Sequence, residues 1–367
     1  MRIVIAAGGT GGHLFPAIAL AQELKKRGHS DIVFVCDENK RSKEIIKHKG
    51  FSFTSVDIPR MPYGFTAKWI QFIPQLLSAN YRTKAVLSGL NPYIVVGFGA
   101  FISGVLVSVA SRMGIKTMIH EQNVSLGRAN RLLLKKADRV CFSLSNKYLN
   151  GNSKYILTGN PAREEILDGL KMITKDQAIN RLKLSENKKT ILVLGGSRGA
   201  TSINSIMVTL VNKLTTEEKK RLQIIHITGP EDIEAVSRAY KESEITSWVS
   251  DFDDRMSLLY KAADLVVGRC GATTLSELSL FGIPAIFIPY PWAGNHQSEN
   301  ALFAAESGGA VLLEGKGLTA NTLKDEIFQL VNNEEALRDM SSAMRSIANA
   351  NACIKMADTV EGLANAE

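Results

Sequence analysis

Short runs of consecutive apolar residues recur along the 367-residue chain and alternate with amphipathic stretches. Residues 2–7, 32–36, 93–97, 117–120 and 139–142 read as strands in the first half. Residues 190–194, 222–228, 265–267, 285–288 and 310–313 do so in the second. Near-continuous Val/Ile/Leu runs of this length, separated by helical stretches, predict parallel sheets covered on both faces. Residues 16–27 are expected as an amphipathic helix with Pro16 at its first position and Gly28 as its stop. From Ala85 to Ser111 there is no charge, long enough to span a bilayer. Asn91-Pro92, Gly97, Gly99 and Gly104 interrupt that run, so it reads as a buried strand, a glycine turn and a buried helix beginning near Ser103.

The two halves echo each other. Each opens with a strand that runs into a glycine-rich turn and a helix, IVIAAGGTGGH at 3–13 and ILVLGGSRGA at 191–200. The turn-forming cluster Gly159-Asn160-Pro161 marks the joint. The expected architecture is α/β: two Rossmann-like, doubly wound parallel-sheet domains facing across a cleft, residues 1–160 and 161–346, with the tail 347–367 packing back on the first.

Composition changes this picture in two places. With 45% hydrophobic and 22% charged residues the chain has the makings of globular cores. Cys36, Cys141, Cys270 and Cys353 lie far apart with no C-x-x-C pair, which excludes a local zinc knuckle and favours reduced thiols. The N-terminal apolar run before the glycine loop is too short for a signal-peptide core. Through Gly159 there are 22 lysines and arginines against 8 aspartates and glutamates, a surplus of +14; from Asn160 onward the counts are 22 and 28, a deficit of −6. A basic half attracts anionic partners: nucleic acid, anionic lipid or a phosphorylated substrate.

Ligands bind beyond the carboxyl ends of parallel strands, where both glycine loops sit. Bare backbone there approaches a bound group closely, and a helix N-terminus offers N–H groups to phosphate; packing alone is the other reading. Neither loop is a Walker loop or G-x-G-x-x-G, although Asp37 after the second strand is placed to mimic a ribose-binding acid. GRCGATTLSE at 268–277 follows a strand and opens a helix, suiting a phosphate site with Glu277 one turn in, able to accept from a diol; capping by Thr273 or Thr274 is the alternative. After the strand at 285–288, Gln297 and Asn300 carry amides that both donate and accept, as sugar hydroxyls require. His120-Glu121-Gln122-Asn123 ends another strand with four polar side chains, poor material for a core. His13 directly follows the first loop and is a candidate general base, or a cap or ligand-orienting group.

In this order and spacing GGTGGHLFPA, HEQN, GNPAR, GGSRGA, GRCGATTLSE and the HQSEN loop resemble the MurG-type glycosyltransferases, GT-B proteins of the family 28 kind, over residues 3 to about 305. The resemblance implies transfer of N-acetylglucosamine from UDP-N-acetylglucosamine to the C4 hydroxyl of an undecaprenyl-pyrophosphoryl muramyl-pentapeptide. It also implies inversion, no required metal or other cofactor, and a peripheral place at the cytoplasmic face of the cell membrane. Carried over, Thr10, Gly11 and Gly12 resemble the loop beside the phosphates, and Asn123 the asparagine of the cleft. Arg163 and Ser197 are similar to donor-binding positions. Ala272, Thr273, Thr274, Leu275, Ser276 and Glu277 resemble the nucleotide site, with Glu277 on the ribose. Asp253, beside Phe252, falls where the uracil is held by backbone contacts, and Gln297 matches the amide that reads the sugar. Glu121 is a second catalytic candidate, on the acceptor side. Cys270 stands where serine is usual, and Gly294-Asn295 where charged residues are commoner.

Phe65, Trp69, Ile70, Phe72, Ile73, Leu76 and Leu77 cluster near Arg60, Lys68, Arg82 and Lys84. Apolar residues ringed by lysine and arginine suit shallow docking on anionic lipid; ordinary helix core is the alternative. Other readings are a GT-B transferase with a different acceptor and a nicotinamide-dependent dehydrogenase using the first loop and Asp37. Zinc spacing, a recognition helix and an aromatic RNA-binding run are all missing, so no nucleic-acid partner is expected.

Overall fold

The structure, a computed structural model, describes residues 1–8, 11–36, 40–59, 62, 67–196, 199–290 and 295–365. Two compact units emerge: residues 1–163 with 349–367, and residues 164–348. In the first, β1 (Ile3–Ala6), α1 (Gly11–Lys26), β2 (Ile32–Cys36), α2 (Lys40–His48), β3 (Ser52–Ser55), α3 (Lys68–Leu90), β4 (Ile94–Gly97), α4 (Ala100–Arg112), β5 (Lys116–Glu121), α5 (Arg128–Leu133), β6 (Arg139–Phe142) and β7 (Tyr155–Leu157) follow in order. The strands form one seven-stranded parallel sheet, β3-β2-β1-β4-β5-β6-β7. Every residue of β1 and β4 is buried, so the uninterrupted apolar runs have water on neither face.

The second unit contains α6 (Glu164–Met172), α7 (Lys175–Arg181), β8 (Lys189–Leu194), α8 (Thr201–Val211), α9 (Thr216–Arg221), β9 (Leu222–Ile227), α10 (Ile233–Glu242), β10 (Ser247–Ser250), α11 (Met256–Ala262), β11 (Leu265–Gly268), α12 (Ala272–Phe281), β12 (Ala285–Phe287), α13 (His296–Glu306), β13 (Ala310–Leu312), α14 (Ala320–Val331) and α15 (Glu334–Ser346). Its six parallel strands run β10-β9-β8-β11-β12-β13. The strand order reverses between β1 and β4 in one unit and between β8 and β11 in the other. At such a point successive loops leave in opposite directions and open a crevice at the carboxyl ends. Each glycine loop therefore starts at its own unit's switch point.

Three expectations need correcting. The first helix begins at Gly11, not Pro16, so Pro16 lies inside α1 and deprives the Gly12 carbonyl of its helical donor. α4 begins at Ala100, not near Ser103; the buried Ser103 hydroxyl instead donates to the Ala6 carbonyl and ties α4 to β1. Strands β3, β7 and β10 escaped the apolar pattern. All three are sheet edges and are half-exposed, so they lack the continuous runs of central strands.

After the second unit the chain returns as α16 (Ala352–Asn365), which belongs to the first. Met356, Ala357, Val360 and Leu363 are buried in the same core as Ile3, Ile5 and the inner face of α1. Fully burying a Met, Val or Leu side chain contributes about 1.5–3 kcal/mol. Among the described residues no helix is long and apolar enough to cross a membrane.

Candidate functional site

In the first unit, the switch-point crevice is lined from three elements. His13 stands in the first turn of α1, Gly99 joins β4 to α4, and the polar cluster of residues 120–123 ends β5 and opens the loop after it. His13 Nδ1 lies 3.1 Å from Gln122 Oε1. The Gln122 amide nitrogen donates to the Phe98 carbonyl and to His120 Nδ1, both at 3.0 Å. His120 Nε2 in turn meets the Gly159 carbonyl at 3.0 Å and the Ser143 hydroxyl at 3.2 Å. His120 is fully buried, and burial lowers its pKa to about 4, so it is neutral near pH 7.

Glu121 is buried and saturated. One carboxylate oxygen accepts from the backbone N–H and side-chain amide of Asn123, the other from the Gly127 N–H and the Asn130 amide, at 2.8–3.1 Å. Four donors on one carboxylate make it a hub that shapes the loop after β5, and they commit the Asn123 amide nitrogen to that loop. The Arg163 guanidinium stacks on the Phe15 ring at 4.6 Å. The same ring would meet a Cβ on Gly11 at 2.9 Å. Gly12 follows within the first turn of α1. Thr10, Ser197, Asp37, Arg60, Phe65 and Gly294 lie outside the described residues.

The second unit assembles a helix terminus. α12 starts at Ala272 with Gly271 as its N-cap and no capping side chain, so the reading of Thr273 or Thr274 as a cap does not hold. The Thr273 hydroxyl oxygen is buried and has no hydrogen-bond partner among the described residues. Glu277, buried one turn in, accepts from the Tyr260 hydroxyl at 2.8 Å. Tyr260, on α11, gave no sequence signal because its pairing spans 17 residues and a strand. Leu275 is buried, and Ser276 lends its carbonyl to Ser279. Arg269, nearly buried, donates to the carbonyls of Ile288 and Pro289 and to the Ser202 hydroxyl, and stacks on Tyr290. Its partners are neutral oxygens, and burial pushes its pKa down.

A packing reason also exists for the second glycine loop. A Cβ on Gly195 would overlap the backbone of Gly199 and Ala200, so that turn tolerates no side chain. Gln297 Oε1 accepts from the Tyr290 N–H, bridging the loop that precedes α13. Asn300 is fully buried and donates to the Cys270 carbonyl, so its amide nitrogen packs rather than reaching outward. All four cysteines are buried, and burial pushes the Cys270 thiol well above its ordinary range. Burial also raises Asp253, but the hydrogen bonds and charge of Arg255 more than offset this and hold its carboxyl below the usual value. Among the described residues no three His, Cys, Asp or Glu side chains converge as for a metal ion.

α3 divides the apolar cluster in two. Phe72 is 4% exposed, edge-on to Trp69 and against Phe101, and Leu76 packs on the core beneath. These two are core, not surface. Ile70, Ile73, Leu77 and Tyr81, at 76%, 56%, 66% and 78% exposure, form the outer stripe at helical spacing. Lys68 and Lys84 are exposed, Lys84 on the face of the stripe, whereas Arg82 donates to the Asp57 carbonyl and pairs with its carboxylate.

Residues 3–142 match the glycosyltransferase family 28 N-terminal domain and residues 190–356 the C-terminal domain. A UDP-N-acetylglucosamine--N-acetylmuramyl-(pentapeptide) pyrophosphoryl-undecaprenol N-acetylglucosamine transferase of Desulforamulus reducens is 35% identical, covering 98% of both chains. The Bacillus subtilis protein of the same name is 31% identical over 99% of both. The crystal structure of Acinetobacter baumannii MurG superposes with a TM-score of 0.78 at 25% identity, covering 99% of this chain and all of that one. The paired Rossmann-like units are thus the GT-B fold. With both domain models matched in order and such relatives aligned end to end, the chain belongs to glycosyltransferase family 28.

Proposed function

We propose that this chain transfers N-acetylglucosamine from UDP-N-acetylglucosamine to the C4 hydroxyl of undecaprenyl-pyrophosphoryl-N-acetylmuramyl-pentapeptide, with inversion. The observation that carries the reaction is the likeness, over almost the whole of both chains, to transferases named for it. The donor belongs at the α12 terminus. There the unpaired Thr273 hydroxyl, the first-turn N–H groups and Glu277 supply the donors and acceptors that a nucleoside diphosphate needs. The acceptor oxygen forms its bond to the anomeric carbon while the bond from that carbon to the phosphate oxygen breaks. UDP departs with the electron pair, and the hydroxyl proton passes to His13. One displacement inverts the centre and requires a base but no enzyme nucleophile.

Negative charge gathers on the departing diphosphate. The positive end of α12 and the buried Arg269 guanidinium are suited to meet it, so no metal is invoked; turnover is expected to survive chelation. The outer stripe of α3, with Lys84 on the same face, supports shallow docking on anionic lipid, which would place the enzyme peripherally at the cytoplasmic face of the membrane beside its lipid-linked acceptor.

Calorimetric titration with UDP and UDP-N-acetylglucosamine tests the donor site. Removing a charged hydrogen-bonding group costs about 1.5–3 kcal/mol, so Glu277→Ala should weaken both by roughly 10- to 100-fold. Unchanged affinity would take Glu277 out of the site. Mass analysis of the product from the muramyl lipid tests the acceptor, and no added hexosamine would overturn the assignment.

A further inference from the structure

We propose that Gln122 is a positioning residue: it locks the His13 imidazole as the Nδ1–H tautomer, so that Nε2 is the nitrogen carrying the basic lone pair. The proposal deepens the reading of His13 as the base and rests on it.

The argument starts from two carbonyl groups, which only accept. The Gly159 carbonyl faces His120 Nε2 at 3.0 Å, so that nitrogen bears the proton of the neutral ring and Nδ1 is left as an acceptor. The Phe98 carbonyl faces the Gln122 amide at 3.0 Å, so the amide nitrogen, not the oxygen, points there. Its second N–H is directed at His120 Nδ1, also at 3.0 Å, the acceptor just deduced. Both carbonyls therefore give the same orientation of the Gln122 amide. Oε1 must then face His13 Nδ1, 3.1 Å away, and an amide oxygen accepts only from a nitrogen that carries hydrogen.

Burial keeps this chain of bonds intact. Gln122 and His120 are 2% and 0% exposed, so water does not compete for the amide. His120 stays neutral near pH 7, which its role as acceptor requires.

A separate observation points the same way. Gly99 sits at φ +90°, and a Cβ there would lie 3.0 Å from both Cε1 and Nδ1 of His13. A side chain at residue 99 would crowd the imidazole where it lies against Gln122, and the positive φ there favours glycine. Orientation is thus set on one side by a hydrogen bond and on the other by bare backbone. When the ring takes the acceptor's proton on Nε2, the Gln122 oxygen remains against the Nδ1–H and favours the cation that results.

The test uses the full-length protein with 15N-labelled histidine, read by long-range 1H–15N correlation at pH 8, with His13→Gln identifying the His13 signals. His13 should show a protonated Nδ1 and a bare Nε2; the reverse pattern overturns the proposal even if Gln122→Met does not fold. Gln122→Met should shift His13 toward the Nε2–H form that free imidazole prefers. It should lower kcat at least tenfold while KM for UDP-N-acetylglucosamine holds. An unchanged tautomer in that variant removes Gln122 from the role. Gly99→Ala should reproduce the kcat loss, and full activity there counts against the steric half of the argument. If His13→Gln retains wild-type turnover, the base reading fails, while the tautomer spectrum still decides what Gln122 does.

Discussion

Glu277 accepts a hydrogen bond from a hydroxyl on another helix, which helps to direct its carboxylate from α12. Tyr260→Phe keeps the ring against Phe281 and deletes only the donor. At about 1 kcal/mol for such a bond, affinity for UDP should fall roughly fivefold by titration calorimetry. An identical affinity would mean that Glu277 needs no help to hold its position. Two buried histidines make a second prediction. His120 and His226 are lowered by burial from 6.5 to about 4 and about 3, one in each unit. Because both folded values lie below the unfolded one, the unfolded chain binds more protons between them. Stability is therefore full above pH 6.5 and falls as pH drops through that window, by about 2 kcal/mol per histidine at pH 5. Denaturant unfolding at pH 7 and pH 5 reads this out. In His226→Gln the pH dependence of the second unit should shrink; an unaltered slope refutes the assignment.

Helices and strands were legible in proportion to how far their partners lie on both sides. Central strands are buried on both faces and write their burial as continuous apolar runs. β3, β7 and β10, each with one neighbour, do not. For α3 the apolar residues were plain, yet the two faces could not be told apart without α4, against which Phe72 turns. The surviving surface is Ile70, Ile73, Leu77 and Tyr81. Ile73→Glu with Leu77→Glu should abolish sedimentation with anionic vesicles while turnover of a soluble acceptor stays within about twofold, since exposed sites carry little folding energy. Equal losses would make the stripe structural. Lys68→Glu with Lys84→Glu should weaken vesicle binding in a salt-dependent manner. Arg82 is a poorer probe because its guanidinium is engaged with Asp57.

Across the molecule, the first unit is completed by the last helix of the chain. Arg27 at the end of α1 donates to Glu23, Asp358 and Glu361, and His29 meets Glu361 at 2.9 Å. Arg27→Met should destabilise the first unit by about 1 kcal/mol, a modest figure because these groups are partly solvated. The His29 hydrogen bond, and then Arg27, hold the Glu361 carboxyl below its usual range against the opposing effect of burial. That contribution is present at neutral pH and is lost as acid protonates Glu361. Calorimetry of the variant between pH 7 and pH 3 should show its deficit vanish at the acid end; a constant deficit would assign the effect to packing.

The α/β class, the helix that opens at Ala272 just after a strand and the family likeness were all readable in the chain, because each is written in contiguous residues: an apolar run, a small-residue link, a helix opening. What needed the folded molecule was every feature whose partners are far apart in the chain. His13 and Gln122 are 109 positions apart and Arg27 and Glu361 are 334 apart, so nothing local records that they meet. Pairing across such distances is set by which strands the sheet places side by side, and by the carbonyls that close packing leaves for a buried amide to satisfy.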